Sequence, residues 1–259
     1  MNDVATRARD WHHAMHAAVC DVVEPWAHGT VVRATRYPSY YDFNKVRVED
    51  DPGLSVDALV AFADEALDGL AHRRVDFDVV TAADPRRAEF EAKGWRSMRV
   101  VFMRHEAPAP DGPHVPVEEV PYDAVHDLRV AWHQEDFPGQ DASGYHAFAR
   151  DVALRRGATV LAVRENGVPI AFAQLERDGP AAEITQVFVH PDHRGGGRGT
   201  AMTRAAIEAA GDVEDLWIAA DDEDRPKELY ARLGFRPAWT TMEFTRWPRA
   251  RSGPARSAR

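Results

Sequence analysis

The chain has 259 residues, which is more than a single domain of about 100 to 150 residues requires. Its 44% hydrophobic and 29% charged residues are typical of a soluble globular protein. A formal net charge of −10 disfavours a nucleic-acid-binding surface as the main function, because such a chain repels phosphates. We therefore expect two domains and no nucleic-acid partner.

Targeting and redox signals are sparse. Cys20 is the only cysteine, so an intrachain disulfide is excluded and the chain is compatible with a reducing cytosol. Residues 1–7 lack an apolar segment, and the longest apolar run covers only residues 58–63. We expect neither a signal peptide nor a membrane span, and we expect a cytoplasmic protein with no membrane partner. His12 and His16 are spaced to share a metal, but no ligand cluster stands nearby in the sequence, so no metal is expected.

Helical and strand patterns alternate in the first half of the sequence. The patterns predict helices over 4–20, from Ser55 to about 70, and over 85–93, and strands over 29–36, 43–49, 75–80 and 95–104. This alternation predicts an α/β domain over 1–106.

A proline-rich segment separates the two halves. Five prolines between residues 105 and 121 predict an extended linker, placed at 107–114. The second domain is expected over 115–248, and the basic tail 249–259 is expected to be disordered. In this domain we predict helices over 122–133, 145–155, about 195–210 and 224–233, and strands over 115–120, 158–164, 168–177, 182–189, 213–220 and 238–245.

A glycine-rich turn follows the strand that ends in Val187–Val189. Four glycines fall in five positions within Arg194–Thr200, directly before a helical pattern. Such a turn lets backbone amides approach a ligand, and the helix start with its dipole attracts phosphates. A Walker loop is excluded because no lysine follows the last glycine, and the spacing does not fit a dinucleotide fingerprint. A tight turn that merely needs glycine is the alternative.

Residues 194–199 fit the pattern Q/R-x-x-G-x-G/A and resemble the acyl-CoA-binding motif of the GNAT superfamily of N-acetyltransferases. Leu229–Phe235 resembles the L-Y-x-x-x-G-F signature near the end of that family's domain. Together the two motifs extend the resemblance over residues 115–246. It implies an α/β (α+β) fold of two tandem GNAT-like domains, each with a mixed, mostly antiparallel sheet flanked by helices, in a layout similar to mycothiol synthase.

The first half of the sequence resembles the second half. Residues 90–96 resemble residues 230–236, 140 positions further on, without a gap over the intervening elements. In this alignment Gly197 corresponds to Asp57 and Tyr230 corresponds to Phe90. Positions that the chemistry would use are therefore replaced, and we expect the first half to be a degenerate domain that shapes the substrate site or stabilises the chain.

The resemblance implies which residues hold acetyl-CoA as a co-substrate. Strand residues would pair with its pantetheine arm, with the amide of Val187 bonded to the thioester carbonyl, and the amides of the glycine turn would hold its pyrophosphate. The expected set is Val187, Phe188, Val189, Arg194, Gly195, Gly196, Gly197, Arg198, Gly199 and Thr200.

Two further residues match catalytic positions of the family. Glu183 lies fourteen residues before Gly197, where members often carry the general base, and Tyr230 matches the tyrosine that protonates the departing thiolate. A solvent-facing glutamate and a packed aromatic are the alternatives. The chain departs from the family at Glu223 and Pro226, where many relatives have asparagine and alanine. The contact that this loop makes with the coenzyme in those relatives is therefore not carried over to this chain.

The predicted function is transfer of an acetyl group from acetyl-CoA to a primary amine in a ternary complex, catalysed by the second half. The alternative is a non-catalytic acyl-CoA-binding regulatory or scaffolding protein. Glu135, Asp136 and Asp141 hint at a cationic amine, from a small molecule or a peptide. We also retain a homodimer as an expectation for its assembly.

Overall fold

The computed structural model describes residues 3–108, 115–139 and 142–248, and the α/β class predicted from the sequence is confirmed. The helices are α1 Val4–Ala17, α2 Val56–Ala66, α3 Val80–Ala83, α4 Arg87–Ala92, α5 His126–Asp136, α6 Ser143–Arg155, α7 Arg198–Ala210 and α8 Pro226–Arg232. The strands are β1 Val22–Trp26, β2 Gly29–Arg33, β3 Lys45–Val48, β4 Arg73–Phe77, β5 Arg96–His105, β6 Glu118–Val120, β7 Thr159–Glu165, β8 Val168–Asp178, β9 Ala181–Val189, β10 Asp215–Asp221 and β11 Phe235–Arg246.

The described chain forms two compact units. Unit A contains residues 3–19 together with most of the chain from 99 to 241, and unit B contains residues 20–98 and 242–248. Each unit has its own buried apolar cluster.

The sheet of unit A runs in the order β5–β10–β9–β8–β7–β6. All of its neighbours are antiparallel except β9 and β10, which are parallel and are joined in sequence by α7. Met202 and Ala206 of α7 are fully buried against one face of the sheet. Phe172 of β8 points to the opposite face, where it packs with Leu128 of α5 and Ala153 of α6.

Unit B repeats the central part of this topology. Its strand order is β1–β2–β3–β4–β11, and β3 and β4 are its parallel pair, joined in sequence by α2. Leu59 of α2 is completely buried, as are Phe77 of β4 and Phe90 of α4. The predicted resemblance between the halves therefore has a counterpart in the way the strands pair.

The two halves of the sequence exchange a strand. β5 follows α4 of unit B along the chain, yet Val100–Arg104 pair with β10 of unit A. Conversely, Met242–Arg246 of β11 pair with β4 of unit B. The N-terminal helix α1 also belongs to unit A. The units therefore do not follow the boundaries drawn from sequence at 106 and 115, because strand pairing is decided by partners distant in sequence.

Several local features differ from the predictions. β1 was not predicted, because Pro25 interrupts its pattern and its central residues are exposed. The helix predicted over 85–93 is a broken segment, with a 3-10 turn at Asp84–Arg86 before α4. Of the predicted linker only residues 107 and 108 are described, and the tail 249–259 lies outside the described residues.

The described ranges lack two further features. No helix there has both the length and the apolar composition that a membrane span requires. Likewise, the described His, Cys, Asp and Glu side chains form no group of three or more that could hold a metal ion.

Candidate active site

The glycine turn between β9 and α7 leaves the start of α7 open. Gly195, Gly196 and Gly197 have φ values of 88°, 58° and 77°, a left-handed region that side chains disfavour. Gly197 is the N-cap of α7, and as a glycine it offers no side-chain acceptor to the first turn of the helix. The first N–H groups of a helix lack intrahelical partners, so this end of α7 offers donors and a positive dipole to an anion.

Gly199 brings three elements together. A Cβ atom at this position would lie 3.5 Å from Cδ1 of Leu229 and 3.9 Å from Cγ2 of Val189. The first turn of α7 therefore packs against α8 and the end of β9 at ordinary van der Waals distance. This contact places Tyr230, the neighbour of Leu229, close to the glycine turn in the fold.

The two arginines of the turn are engaged with carboxylates. Nη2 of Arg194 lies 2.6 Å from Oε2 of Glu135, at the end of α5. Arg198 binds Glu165 through Nη2 and donates from Nη1 to the carbonyl of His193 at 3.2 Å. Each guanidinium is therefore already paired with a carboxylate, whereas the N–H groups at the start of α7 remain available to an anion.

The structure describes two of the three acidic residues that were expected to attract a cationic acceptor. Glu135 contacts Arg194 of the glycine turn. Asp136 is exposed, and Asp141 lies outside the described residues. The structure thus gives Glu135 a role in holding the turn.

β9 and β10 part halfway along their length. Their parallel register runs from Ala181 opposite Asp215 to Ile184 opposite Ile218. β9 continues to Val189, and in this fully described stretch no strand pairs with it on the β10 side beyond Ile184. Backbone groups of Val187–Val189 on that side are available to an extended ligand arm, which could add to the sheet as a strand does.

A β-bulge precedes this free edge. Gln174 of β8 pairs with Gln186 of β9, while the next residue, Leu175, pairs with Ile184, so Thr185 is the extra residue. Side chains alternate between faces along a regular strand, and a bulge resets that alternation. Glu183 and Gln186 consequently lie on the same face of the sheet although they are three residues apart.

Glu183 lies in a densely surrounded position on this face. Its Oε2 accepts a hydrogen bond of 2.8 Å from Nε1 of Trp11, on α1. Although the residue as a whole is partly exposed, burial of its carboxylate raises the pKa to about 7. The hydrogen bond from Trp11 and the charge of Arg156 oppose this rise, and the nearby Glu176 adds to it. At neutral pH part of the Glu183 population is therefore ionised, and this ionised form can accept a proton.

A row of polar side chains leads away from Glu183, of which Arg129, Gln174 and Glu176 are buried and Arg156 is half-buried. Nε of Arg156 lies 2.7 Å from Oε2 of Glu176. Nε2 of Gln174 donates to Oε1 of Glu176 at 2.8 Å, and Nη2 of Arg129 donates to Oε1 of Gln174 at 2.9 Å. Buried polar groups are costly unless they are paired, so this network fixes the side chains around Glu183.

Tyr230 lies on α8 and is 7% exposed. Burial raises the pKa of its hydroxyl to about 12, so that it keeps its proton at neutral pH. It packs in the same cluster as Ile184 and Met202, on the α7 face of the sheet. Glu183 precedes Ile184 and points to the other face, so the two predicted catalytic residues come from opposite faces where β9 and β10 part.

A separate cavity of about 470 Å³ opens between α5 and α6. Its lining includes Arg129, His126, His146 and Arg150. Arg129 also binds Gln174 and Gln186, so the floor of the cavity adjoins the polar row that leads to Glu183. The glycine turn does not line this cavity.

Sequence patterns could not identify most of the groups around Glu183. Trp11 lies within the helix predicted over 4–20, and it lies 172 residues before Glu183. Arg156 and Glu176 have no motif around them. A contact between positions so far apart leaves no local spacing to recognise.

Part of the sequence matches a known protein family. Residues 122–235 match the acetyltransferase (GNAT) family. An uncharacterized N-acetyltransferase of Methanocaldococcus jannaschii is 36% identical over 81 residues, which cover 27% of this chain and 35% of that protein. The chain thus spans about a third of the length of this curated relative.

Solved structures resemble the chain over most of its length. A conserved protein of unknown function from Staphylococcus epidermidis has a TM-score of 0.67 at 12% identity, covering 88% of this chain and 94% of its own. A GCN5-related N-acetyltransferase from Kribbella flavida has a TM-score of 0.58 at 18% identity, covering 95% of this chain and 96% of its own. At these identities the likeness is one of fold.

Proposed function

We propose that the chain transfers an acetyl group from acetyl-CoA to a primary amine, with unit A as the catalytic unit, and the match of residues 122–235 to the acetyltransferase (GNAT) family supports this. The observation that carries the proposal is the free edge of β9 next to the uncapped start of α7. An extended arm that ends in a pyrophosphate would use both features at once.

The residues present fit such a donor. The left-handed Gly195 has no atom within 4 Å of the place where a Cβ would lie, so a ligand can approach the backbone there. Amides from Gly195 to Thr200 would hold the pyrophosphate, and the free backbone groups of Val187–Val189 would hold the pantetheine arm. The amide of Val187 is assigned to the thioester carbonyl, which it would polarise.

Glu183 and Tyr230 supply the two proton transfers. The amine nitrogen attacks the thioester carbonyl carbon, a C–N bond forms and the C–S bond breaks. Glu183 takes the proton that the amine must lose, directly or through water, because its pKa of about 7 makes it an acceptor near neutral pH. Tyr230 gives its proton to the departing thiolate and is reprotonated from solvent, and Glu183 releases the proton of the amine to solvent.

A coenzyme-release assay tests this function. The full chain is incubated with acetyl-CoA and a panel of amines, amino acids, peptides and aminoglycosides, and free thiol is measured. We expect release that depends on an amine and yields one acetylated amine per thiol. Tight acetyl-CoA binding without amine-dependent release across the panel would favour the non-catalytic acyl-CoA-binding alternative.

A further inference from the structure

We propose that Trp11 is a positioning residue for the base of the proposed reaction: its indole N–H holds the carboxylate of Glu183, so that the N-terminal helix α1 completes the active site. This inference rests on the proposed role of Glu183. It assigns a function to a segment that lies outside the matched domain.

The hydrogen bond itself has only one chemical sense. An indole nitrogen can donate but cannot accept, so the 2.8 Å contact between Nε1 of Trp11 and Oε2 of Glu183 must be an N–H donated to an oxygen. Trp11 is 9% exposed, which restricts the rotation of its ring. A donor in a buried position stabilises the ionised carboxylate and aims its oxygen.

Helix α1 is anchored to unit A at both ends. Near its start, Nε of Arg7 lies 2.8 Å from Oδ2 of Asp215, and Arg104 of β5 binds the other oxygen of the same carboxylate at 2.5 Å. Near its end, the carbonyl of Met15 accepts a hydrogen bond of 3.0 Å from Nη1 of Arg156. Trp11 stands between these two attachments, so its position is set by the helix and not by Glu183 alone.

The groups around Glu183 make Trp11 consequential for protonation. β8 contributes Glu176, whose charge opposes the ionisation of Glu183, and Arg156, the C-cap residue that follows α6, carries a charge that favours it. From β10 the residue opposite in register is Trp217, and from α1 it is the indole of Trp11 that acts. Removal of the indole would leave Arg156 as the main group that favours the ionised form.

The variant Trp11→Phe, compared with Trp239→Phe, tests the proposal. Trp239 packs against Phe102 and His12 in the same unit, at 4.9 Å and 5.7 Å between ring centroids, and serves as a matched control for loss of an indole. In Trp11→Phe the acidic limb of the kcat/KM profile should move to higher pH by on the order of one unit, since a hydrogen bond to a charged group is lost. Activity should recover toward wild type above the shifted limb, and Trp239→Phe should keep the wild-type limb.

An outcome that contradicts the proposal is equally definite. If Trp11→Phe loses activity by the same factor at every pH, or keeps the wild-type profile, Trp11 only packs α1 against the unit. The double variant with Glu183→Gln gives a further check. Adding Trp11→Phe to Glu183→Gln should change the profile no further.

A measurement on the wild-type protein covers the case in which Trp11→Phe fails to fold. The ¹H–¹⁵N resonance of the Trp11 indole should titrate with the midpoint of the acidic limb, and this titration should vanish in Glu183→Gln. A flat titration, combined with loss of the limb in Glu183→Gln, would overturn the role of Trp11 alone. If Glu183→Gln keeps the wild-type profile, the proposed base is wrong and this proposal fails with it.

Discussion

The starts of α7 and α2 occupy equivalent places in the two units, yet a side chain at the N-cap accepts a hydrogen bond from a backbone amide only at α2. At α2 the hydroxyl of Ser55 accepts a hydrogen bond of 3.2 Å from the amide of Ala58. At α7 the N-cap is the left-handed Gly197, which has no side chain to do so. A cap satisfies a helix start from within the protein, whereas an uncapped glycine start leaves donors for a ligand.

The charged residues at the two helix starts also favour anion binding at α7 over α2. α2 carries Asp57 in its first turn, and Nζ of Lys93, the C-cap residue of α4, lies 2.6 Å from that carboxylate. The first turn of α7, all of it described, has no acidic residue. An acidic side chain at a helix start already uses the positive end of the dipole and repels a phosphate. This difference suggests that an anion site can be lost through ordinary stabilising substitutions.

Because the two halves of the sequence exchange a strand, we expect the largest effect from a truncation. A fragment that starts at residue 113 should fail to fold. Such a fragment lacks α1 and β5, and with them the buried side chains of Trp11, Met15, Val101 and Met103. Burial of four such side chains is worth roughly 6 to 12 kcal/mol, which is comparable to the whole stability of a domain. We expect no cooperative unfolding transition by circular dichroism.

A second fragment provides the control for this truncation. Residues 1–112 supplied in trans should restore a folded complex, because they carry both missing elements. A fragment from residue 113 that melts cooperatively and binds acetyl-CoA by itself would show that the half-sequence is autonomous. In that case β5 and α1 would not be essential parts of unit A.

Substitution of Glu183 tests whether unit A contains the general base of the proposed reaction. Glu183→Gln keeps size but cannot accept the proton, so turnover near pH 7 should fall by roughly 10² to 10⁴. Because burial raises the pKa of Glu183 to about 7, wild-type activity should decline as the pH falls through that value and the carboxylate becomes protonated. The variant should lack this limb, and part of its rate should return at high pH, where more of the amine is unprotonated.

The exposed Glu119→Gln is the matched control for this substitution. It removes one carboxylate from unit A away from the proposed site and should keep the wild-type profile. Identical profiles for wild type and Glu183→Gln would instead remove Glu183 from the mechanism. Another carboxylate or a chain of water molecules would then have to serve as the base.

The smallest effect is expected at Tyr230, where unit B shows what the ring alone can do. Phe90 is the equivalent residue in the internal alignment and is completely buried, so an aromatic ring without a hydroxyl packs well at such a place. Tyr230→Phe should therefore lower kcat by roughly tenfold to a thousandfold with acetyl-CoA affinity nearly unchanged. Steady-state kinetics and a binding titration measure the two effects separately, and an unaltered kcat would leave Tyr230 as packing only.

Sequence patterns predicted those features that depend only on neighbouring residues. The apolar spacing from Ser55 predicted α2, and the glycines after Val189 predicted the turn before α7, because capping and left-handed backbone depend on the residues at the site itself. β1 was missed since Pro25 and exposed neighbours hide its alternation.

Pairings between distant segments could not be predicted in this way. The choice of β10 as the partner of β5 depends on contacts more than a hundred residues apart in sequence. The same holds for the hydrogen bond from Trp11 to Glu183, and for the bulge at Thr185 that places Gln186 on the face of Glu183. Such features depend on the three-dimensional arrangement of strands, which single-sequence periodicity does not contain.

Calorimetric titration with acetyl-CoA tests the central claim most directly, because it compares the two helix starts in one protein. We predict one site per chain, abolished or weakened more than roughly tenfold in Gly197→Asp, where a carboxylate would face the pyrophosphate. Gly53→Asp is the matched control, since Gly53 precedes α2 with a positive φ of 59° and has open space where a Cβ would lie, and acetyl-CoA binding by this variant should equal that of wild type. Two sites per chain, or undiminished binding in Gly197→Asp, would contradict the assignment of the coenzyme to the start of α7.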